Sequence, residues 1–174
     1  MKKYIFPLLV AGSVSVGTVA IANENNDPTT TPKSYKIVIT DGLYFTDETQ
    51  NKLYTGDYRE YYDDGTLKAE IYIKDGYPEG LYVIYHPNGT PNEIRSYRNG
   101  VAHGNWRIFN VYGKLISEAN YYNNMKHGVW RIWDDNGTLR YEMFYNDSKR
   151  SGLWQIWDEQ GELISSKSYD KISQ

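Results

Sequence analysis

The chain of 174 residues has no cysteine. Disulfides and thiolate zinc sites are therefore excluded, and the fold must be held by packing and hydrogen bonds alone. Histidine is scarce: His86, His103 and His127 are the three. The last two occupy equivalent places in the repeat described below, where two strand spacings hold such positions ~10 Å apart. A shared metal with nitrogen bonds of ~2.1 Å does not fit that separation, so both read as turn residues facing solvent, and no metal site is expected. An excess of basic residues is also lacking, with 19 Lys and Arg against 22 Asp and Glu. That balance excludes the basic stripe of a backbone-reading nucleic-acid binder. Gly-x-Ser-x-Gly, a phosphate-cradling loop and a Cys–His pair are all missing, so no catalytic residue or cofactor is expected and the chain does not read as an enzyme. Asp63-Asp64 and Asp134-Asp135-Asn136 lack the alternating oxygens and terminal Glu of a calcium loop, and read as turn chemistry.

Long apolar runs are few as well. One run, residues 5–20, follows Lys2 and Lys3 and ends at Ala20-Ile21-Ala22, the small-x-small pattern of a signal-peptidase site. It is short for a membrane span and broken by Gly, Ser and Thr. Residues 1–22 thus read as a bacterial-style signal peptide cleaved after Ala22. The expected location is outside the cytoplasm, in the periplasm, the cell envelope or the medium. Processing removes two lysines and moves the formal charge from −3 to −5. Residues 23–34 (NENNDPTTTPKS) are polar, carry two prolines and read as a flexible lead-in.

Glycine and aromatic residues are what the chain has in quantity: 15 Gly, 18 Tyr, 5 Trp and 4 Phe. Gly56, Gly80, Gly104, Gly128 and Gly152 recur every 24 residues, and Gly65, Gly89, Gly113, Gly137 and Gly161 follow nine residues behind. A strict repeat is one supersecondary unit that buries its apolar face by stacking on its neighbours. Residues 56–174 hold five such units, and residues 35–55 read as a degenerate N-terminal cap. Two positions after each major glycine stands an aromatic: Tyr58, Tyr82, Trp106, Trp130, Trp154. Four positions after it stands Ile84, Ile108, Ile132 or Ile156, with Glu60 in the first unit. Short aromatic and β-branched runs closed by turn residues are strands.

Asp64-Gly65, Asn88-Gly89 and Asn136-Gly137 suit a type I′ hairpin turn, in which both central residues take positive φ. Placing the turn there sets Arg59 opposite Glu70, Arg107 opposite Glu118 and Arg131 opposite Glu142. It also sets Val83 opposite Ile94 and Gln155 opposite Ser166. Opposed charges at three of these pairs support the register. Side-chain alternation then puts the Tyr58-type aromatics, the isoleucines, Leu67, Leu115, Leu139, Leu163 and Tyr97, Tyr121, Tyr145 and Tyr169 on one face, the expected core. The tyrosines fall opposite the major glycines. The expected fold is all-β: an elongated, twisted, single-layer antiparallel meander of tandem 24-residue β-hairpin repeats, with Lys167 and Lys171 guarding its last edge.

The opposite face carries Tyr61, Tyr85, Phe109, Trp133 and Trp157 beside Arg59, Arg107 and Arg131. Aromatics interleaved with arginines are enriched at interfaces, so these eight are the candidate partner-binding residues. The same ladder also has a structural use, since an unbacked sheet needs cross-strand aromatic packing to stand.

The unit G-x-W-x-x-[WFY]-x-x-x-G, followed by L-x-x-E-x-x-Y and a short N-G or H-G turn, resembles the MORN repeat in its bacterial variant form. The stretch GLYFTDETQNKLYTGDYREYYDDGTLKAE resembles the start of bacterial proteins of that type, and the resemblance covers about Asp41 to Tyr169. It implies lipid contact, protein scaffolding or dimerisation rather than catalysis, and the bacterial group often carries an antitoxin-like label. The expected function is an exported, non-enzymatic repeat protein that presents its aromatic, charged face to a protein or a cell-surface component. The alternatives are an antitoxin-like neutraliser of a cognate partner, a membrane-surface binder, which the acidic charge disfavours, and a self-associating envelope scaffold.

Overall fold

A computed structural model of the chain describes residues 15–20, 34–46, 49 and 51–170. All regular elements among them are strands. A three-stranded sheet comes first: β1 (Ser15–Ala20), β2 (Ser34–Thr40) and β3 (Leu43–Phe45). The repeats follow as β4 (Gly56–Tyr61), β5 (Leu67–Lys74), β6 (Tyr77–Tyr85), β7 (Pro91–Arg98), β8 (Val101–Ala102), β9 (Gly104–Phe109) and β10 (Leu115–Tyr122). Then come β11 (Met125–Lys126), β12 (Gly128–Trp133), β13 (Leu139–Asn146), β14 (Lys149–Trp157) and β15 (Leu163–Ser168). These form one twelve-stranded antiparallel sheet in chain order, in which the short strands β8 and β11 extend β9 and β12 along β7 and β10. The expected meander is what forms. Of the segment read as a signal peptide, residues 15–20 are described, and they pair with β2. Apart from Ser34, the expected lead-in lies outside the described residues.

All five expected cross-strand pairs are present: Arg59 with Glu70, Val83 with Ile94, Arg107 with Glu118, Arg131 with Glu142 and Gln155 with Ser166. The turn that was to produce them is different. Gly65, Gly89, Gly113, Gly137 and Gly161 have φ of 84, 82, 78, 94 and 82°, but the residue before each has an ordinary negative φ. Each glycine N–H bonds back to the carbonyl three residues earlier, as Gly65 does to Tyr62 at 2.9 Å. This is a type I turn closed by a left-handed glycine, the three-residue hairpin loop, and it shifts the register by one residue. A bulge then shifts it back, because Lys68, Asn92, Ile116, Arg140 and Ile164 each stand unpaired one residue beyond the leucine position. Two irregularities cancel, and the Arg–Glu pairs survive.

One expectation falls with that correction. Between turn and bulge, Leu67, Leu115, Leu139 and Leu163 stand opposite Tyr61, Phe109, Trp133 and Trp157. Opposed residues share a face, so these leucines belong with the outer ladder and not with the core.

Type I′ turns do occur, in the other connection of each unit. Asp41-Gly42, Asp75-Gly76, Asn99-Gly100, Asn123-Asn124 and Asp147-Ser148 have positive φ at both residues. Four of these turns stack along the array. The N–H of Gly76, Gly100, Asn124 and Ser148 bonds to the carbonyl of Tyr54, Pro78, Ala102 and Lys126, at 2.8, 2.8, 2.9 and 2.8 Å. Gly56, Gly80, Gly104 and Gly128 sit two residues beyond those carbonyls with φ from 70 to 149°. There the strand bends between its short arm and its long arm, a conformation that costs a β-carbon dearly. Tyr97, Tyr121 and Tyr145 pair with Gly80, Gly104 and Gly128 as expected.

The inner face is a continuous run of rings. From Tyr82 it passes through Tyr97, Trp106, Tyr121, Trp130, Tyr145 and Trp154 to Tyr169, with successive centroids 4.5 to 6.5 Å apart. Tilted contacts of this kind add ~0.5–1.5 kcal/mol each beyond burial. Trp106, Trp130 and Trp154 donate their indole N–H to Ser96, Asn120 and Phe144 carbonyls at 3.0, 3.0 and 2.9 Å. At its N-terminal end the face has a roof, where Ile37, Tyr44 and Tyr54 cluster with Tyr58, Ile71 and Ile73. Tyr44 meets Tyr58 edge-on at 5.0 Å.

Candidate binding face

The eight candidate residues lie on the outer face. Arg59 and Tyr61 come from β4, Tyr85 from β6, Arg107 and Phe109 from β9, Arg131 and Trp133 from β12, and Trp157 from β14. Strand alternation is what aims them outward, since Trp106, Ile108 and their equivalents on the same strands point inward. Tyr61 is exposed, while Tyr85, Phe109, Trp133 and Trp157 are half-buried.

Their polar partners differ from one repeat to the next. Arg131 Nε donates to Glu142 Oε2 at 2.7 Å, and its Nη1 lies 3.6 Å from Glu118. Arg59 reaches Glu70 at 3.4 Å and Asp57 at 3.7 Å. Glu70 also accepts the Tyr85 hydroxyl at 2.7 Å. Burial first, and that carboxylate second, push the Tyr85 pKa up to about 12. Arg107 departs from the pattern. Its register partner Glu118 accepts instead from Asn105 at 3.1 Å, and the buried Arg107 Nε has no hydrogen-bond partner. The guanidinium lies 6.0 Å from the Phe109 ring centroid. These ion pairs are half solvated, a setting in which each contributes ~0–1 kcal/mol, so their arrangement governs specificity more than stability.

Two further features have no counterpart in the sequence reading. At the tip of the β9–β10 hairpin, Val111 and Tyr112 are exposed, Tyr112 at 86%. The equivalent tips carry Asp63-Asp64, Pro87-Asn88, Asp135-Asn136 and Glu159-Gln160, and comparing units at this position would have singled the apolar pair out. The second feature is a cleft of about 640 Å³ on the inner face. Its walls are the rings of Tyr44, Tyr77, Tyr82, Tyr97, Trp106 and Tyr121, and its rim includes Asp41 of the β2–β3 turn.

No histidine lines the inner-face cleft. His86 Nε2 meets the Phe109 carbonyl at 3.1 Å, and His103 and His127 pack on either side of Tyr122 with centroids 5.1 and 5.8 Å from it. Among the described residues no three His, Asp or Glu side chains cluster in a way that could hold a metal. Asp134 Oδ1 accepts the N–H groups of Asn136 and Thr138 at 3.0 and 2.9 Å, so it caps its own turn.

Residues 54–75, 78–99 and 126–147 each match the MORN repeat variant. With the tandem hairpins of the sheet, these matches make the chain a MORN-repeat protein of the variant type, a class that is generally non-enzymatic. Comparison with curated proteins finds no significant match.

Proposed function

We propose that the chain is an exported, non-enzymatic repeat protein whose outer sheet face docks another protein or a cell-surface component. The observation that carries this reading is the ladder itself. Five aromatic rings, backed by leucines and flanked by arginines, line one face of a sheet, and no second layer among the described residues covers them. Rings with arginines between them desolvate on contact and supply the few anchors that dominate a binding energy. The apolar run and small-x-small site at residues 5–22 support export.

Crosslinking in native cells tests the proposal, with wild type beside a Trp133→Ala/Trp157→Ala variant whose folding is checked by circular dichroism. Loss of a specific captured partner from a folded variant supports it. Unchanged capture moves the site off the ladder.

A further inference from the structure

The repeat places one side chain of each unit directly over its inner-face rings, two residues before the major glycine. In the fourth and fifth units that residue is a cation. Lys126 Nζ lies 4.7 Å from the Trp130 centroid and 5.1 Å from Tyr145, and the Arg150 guanidinium lies 4.8 Å from Trp154 and 5.4 Å from Tyr169. In the third unit the same position is Ala102, beside the equivalent pair Trp106 and Tyr121. The backbone there is the same as in its neighbour, since the Ala102 and Lys126 carbonyls accept equivalent N–H groups at 2.9 and 2.8 Å. What differs is the missing side chain, and the aromatic cleft opens at that spot.

We propose that this cleft binds an organic cation of the lysine or arginine kind, a primary ammonium or guanidinium on a short alkyl stem, seated against the ring walls beside Ala102.

Ring faces carry the negative end of the aromatic quadrupole and attract such a cation, more strongly where water is excluded. Asp41 stands at the rim, Glu60 acts on Tyr82, and the one arginine that acts there, Arg95, is paired with Glu93. Arg95 already lies 5.3 Å from the Trp106 centroid, but Glu93 Oε2 accepts from its Nε and Nη2 at 2.8 and 2.6 Å and neutralises it. The Tyr97 hydroxyl is buried on the Arg95 side, so the cleft meets its ring and not its oxygen. Tyr82 and Tyr121 have pKa values pushed up to about 12, by burial first, so the walls stay neutral in any physiological medium. The opposing wall comes from the cap turn Asp41–Leu43, and the volume falls inside the roughly 300–1,000 Å³ of small-molecule sites.

The test is a titration of the full chain with agmatine and cadaverine, read by tryptophan fluorescence and calorimetry, beside 1-pentanol as a neutral probe of similar length. The expected result is saturable binding of both cations, with the alcohol at least about tenfold weaker. Ala102→Lys supplies the missing cation internally and is expected to abolish binding while raising the melting temperature. Asp41→Asn, at an exposed turn, keeps the fold and weakens the cations about tenfold without changing the alcohol. A blocked Gly-Lys-Gly peptide that binds more tightly than cadaverine assigns the cation to a polypeptide, and the reverse assigns it to a free amine. The proposal is overturned if neither amine saturates at millimolar concentration, if the alcohol binds as well as they do, or if a folded Ala102→Lys chain still binds agmatine like wild type.

Discussion

The two ends of the inner face solve one problem in different ways. A single sheet has rings on a face that would otherwise meet water. At the N-terminal end the β2–β3 hairpin roofs that face, and the side chains two residues before the major glycines are Tyr54, Pro78 and Ala102. At the C-terminal end none of the described residues forms a roof, and Lys126 and Arg150 lie across the rings instead, joined by Lys167 at 5.0 Å from Tyr169. Burial falls only past the fourth unit: Tyr58 is 2% exposed, Trp106 8% and Trp130, under Lys126, 3%, whereas Trp154 is half-buried and every residue of β15 is exposed. A long side chain with a charged head covers apolar surface while keeping its charge in water, so one cation can stand in for a layer of structure. The repeat therefore specifies the rings, and each unit chooses its cover.

The sharpest separation of the two ends comes from alkali. Tyr82 and Tyr121 have pKa values pushed up to about 12 against an ordinary 10, so the folded chain holds protons that the unfolded chain releases. Their contribution to stability is complete below pH 10 and is lost as pH rises towards 12. Tyrosinate absorbance and circular dichroism are expected to change together in that window, with the roofed half unfolding as the rings ionise. Full ionisation near pH 10 with the sheet intact would contradict the burial on which the comparison rests.

Truncating rings comes next in size. Trp106→Ala is expected to cost about 3–5 kcal/mol by urea denaturation, as for other buried aromatics. Trp154→Ala, on the half-covered side, is expected to cost roughly 1.5–3 kcal/mol. Equal losses would remove the contrast.

Glycine to alanine at the strand bends is expected to cost about 1–3 kcal/mol, because φ at Gly104 and Gly128 is 95 and 70°. Gly104→Ala is the worse of the two, since its new β-carbon would lie 3.2 Å from Ser96 Oγ, whereas the nearest atom at Gly128 is 3.7 Å away. The smallest effect belongs to the covering cations. Lys126→Met and Arg150→Met keep the stem and lose the charge, and denaturation midpoints are expected to report about 0.5–1 kcal/mol for each.

Much of this architecture is legible in the chain, and the reasons it is partly hidden are specific. The period, the strands and the Arg–Glu pairs follow from glycine spacing and charge placement. The turn types do not, because Asn-Gly and Asp-Gly serve a type I turn with a left-handed glycine as well as a type I′ turn. The leucines landed on the wrong face for the same reason, since a bulge restores the register only beyond them. On the outer face, alternation located all eight candidate side chains correctly in space, although Glu118 turned to Asn105 and left Arg107 stacked on Phe109. The cleft was invisible because Ala102 has no chemistry of its own. Its meaning depends on Lys126 and Arg150, one and two repeats later, and on a cap turn that the period does not describe.

The meander order has a consequence for how the molecule comes into being. Each strand bonds to strands made just before or after it, at most past one two-residue strand, so no segment of the sheet waits for a distant partner, the arrangement that favours fast folding. A chain emerging N-terminus first from a narrow channel would find its roof already outside when β4 arrives. Each later hairpin would then meet a finished neighbour with a row of turn carbonyls ready to receive its own N–H groups. Growth would be templated and one-way, like crystallisation onto a seed. The most exposed strand, β15, would be the last of the described strands to leave the channel, and it would meet a sheet already in place.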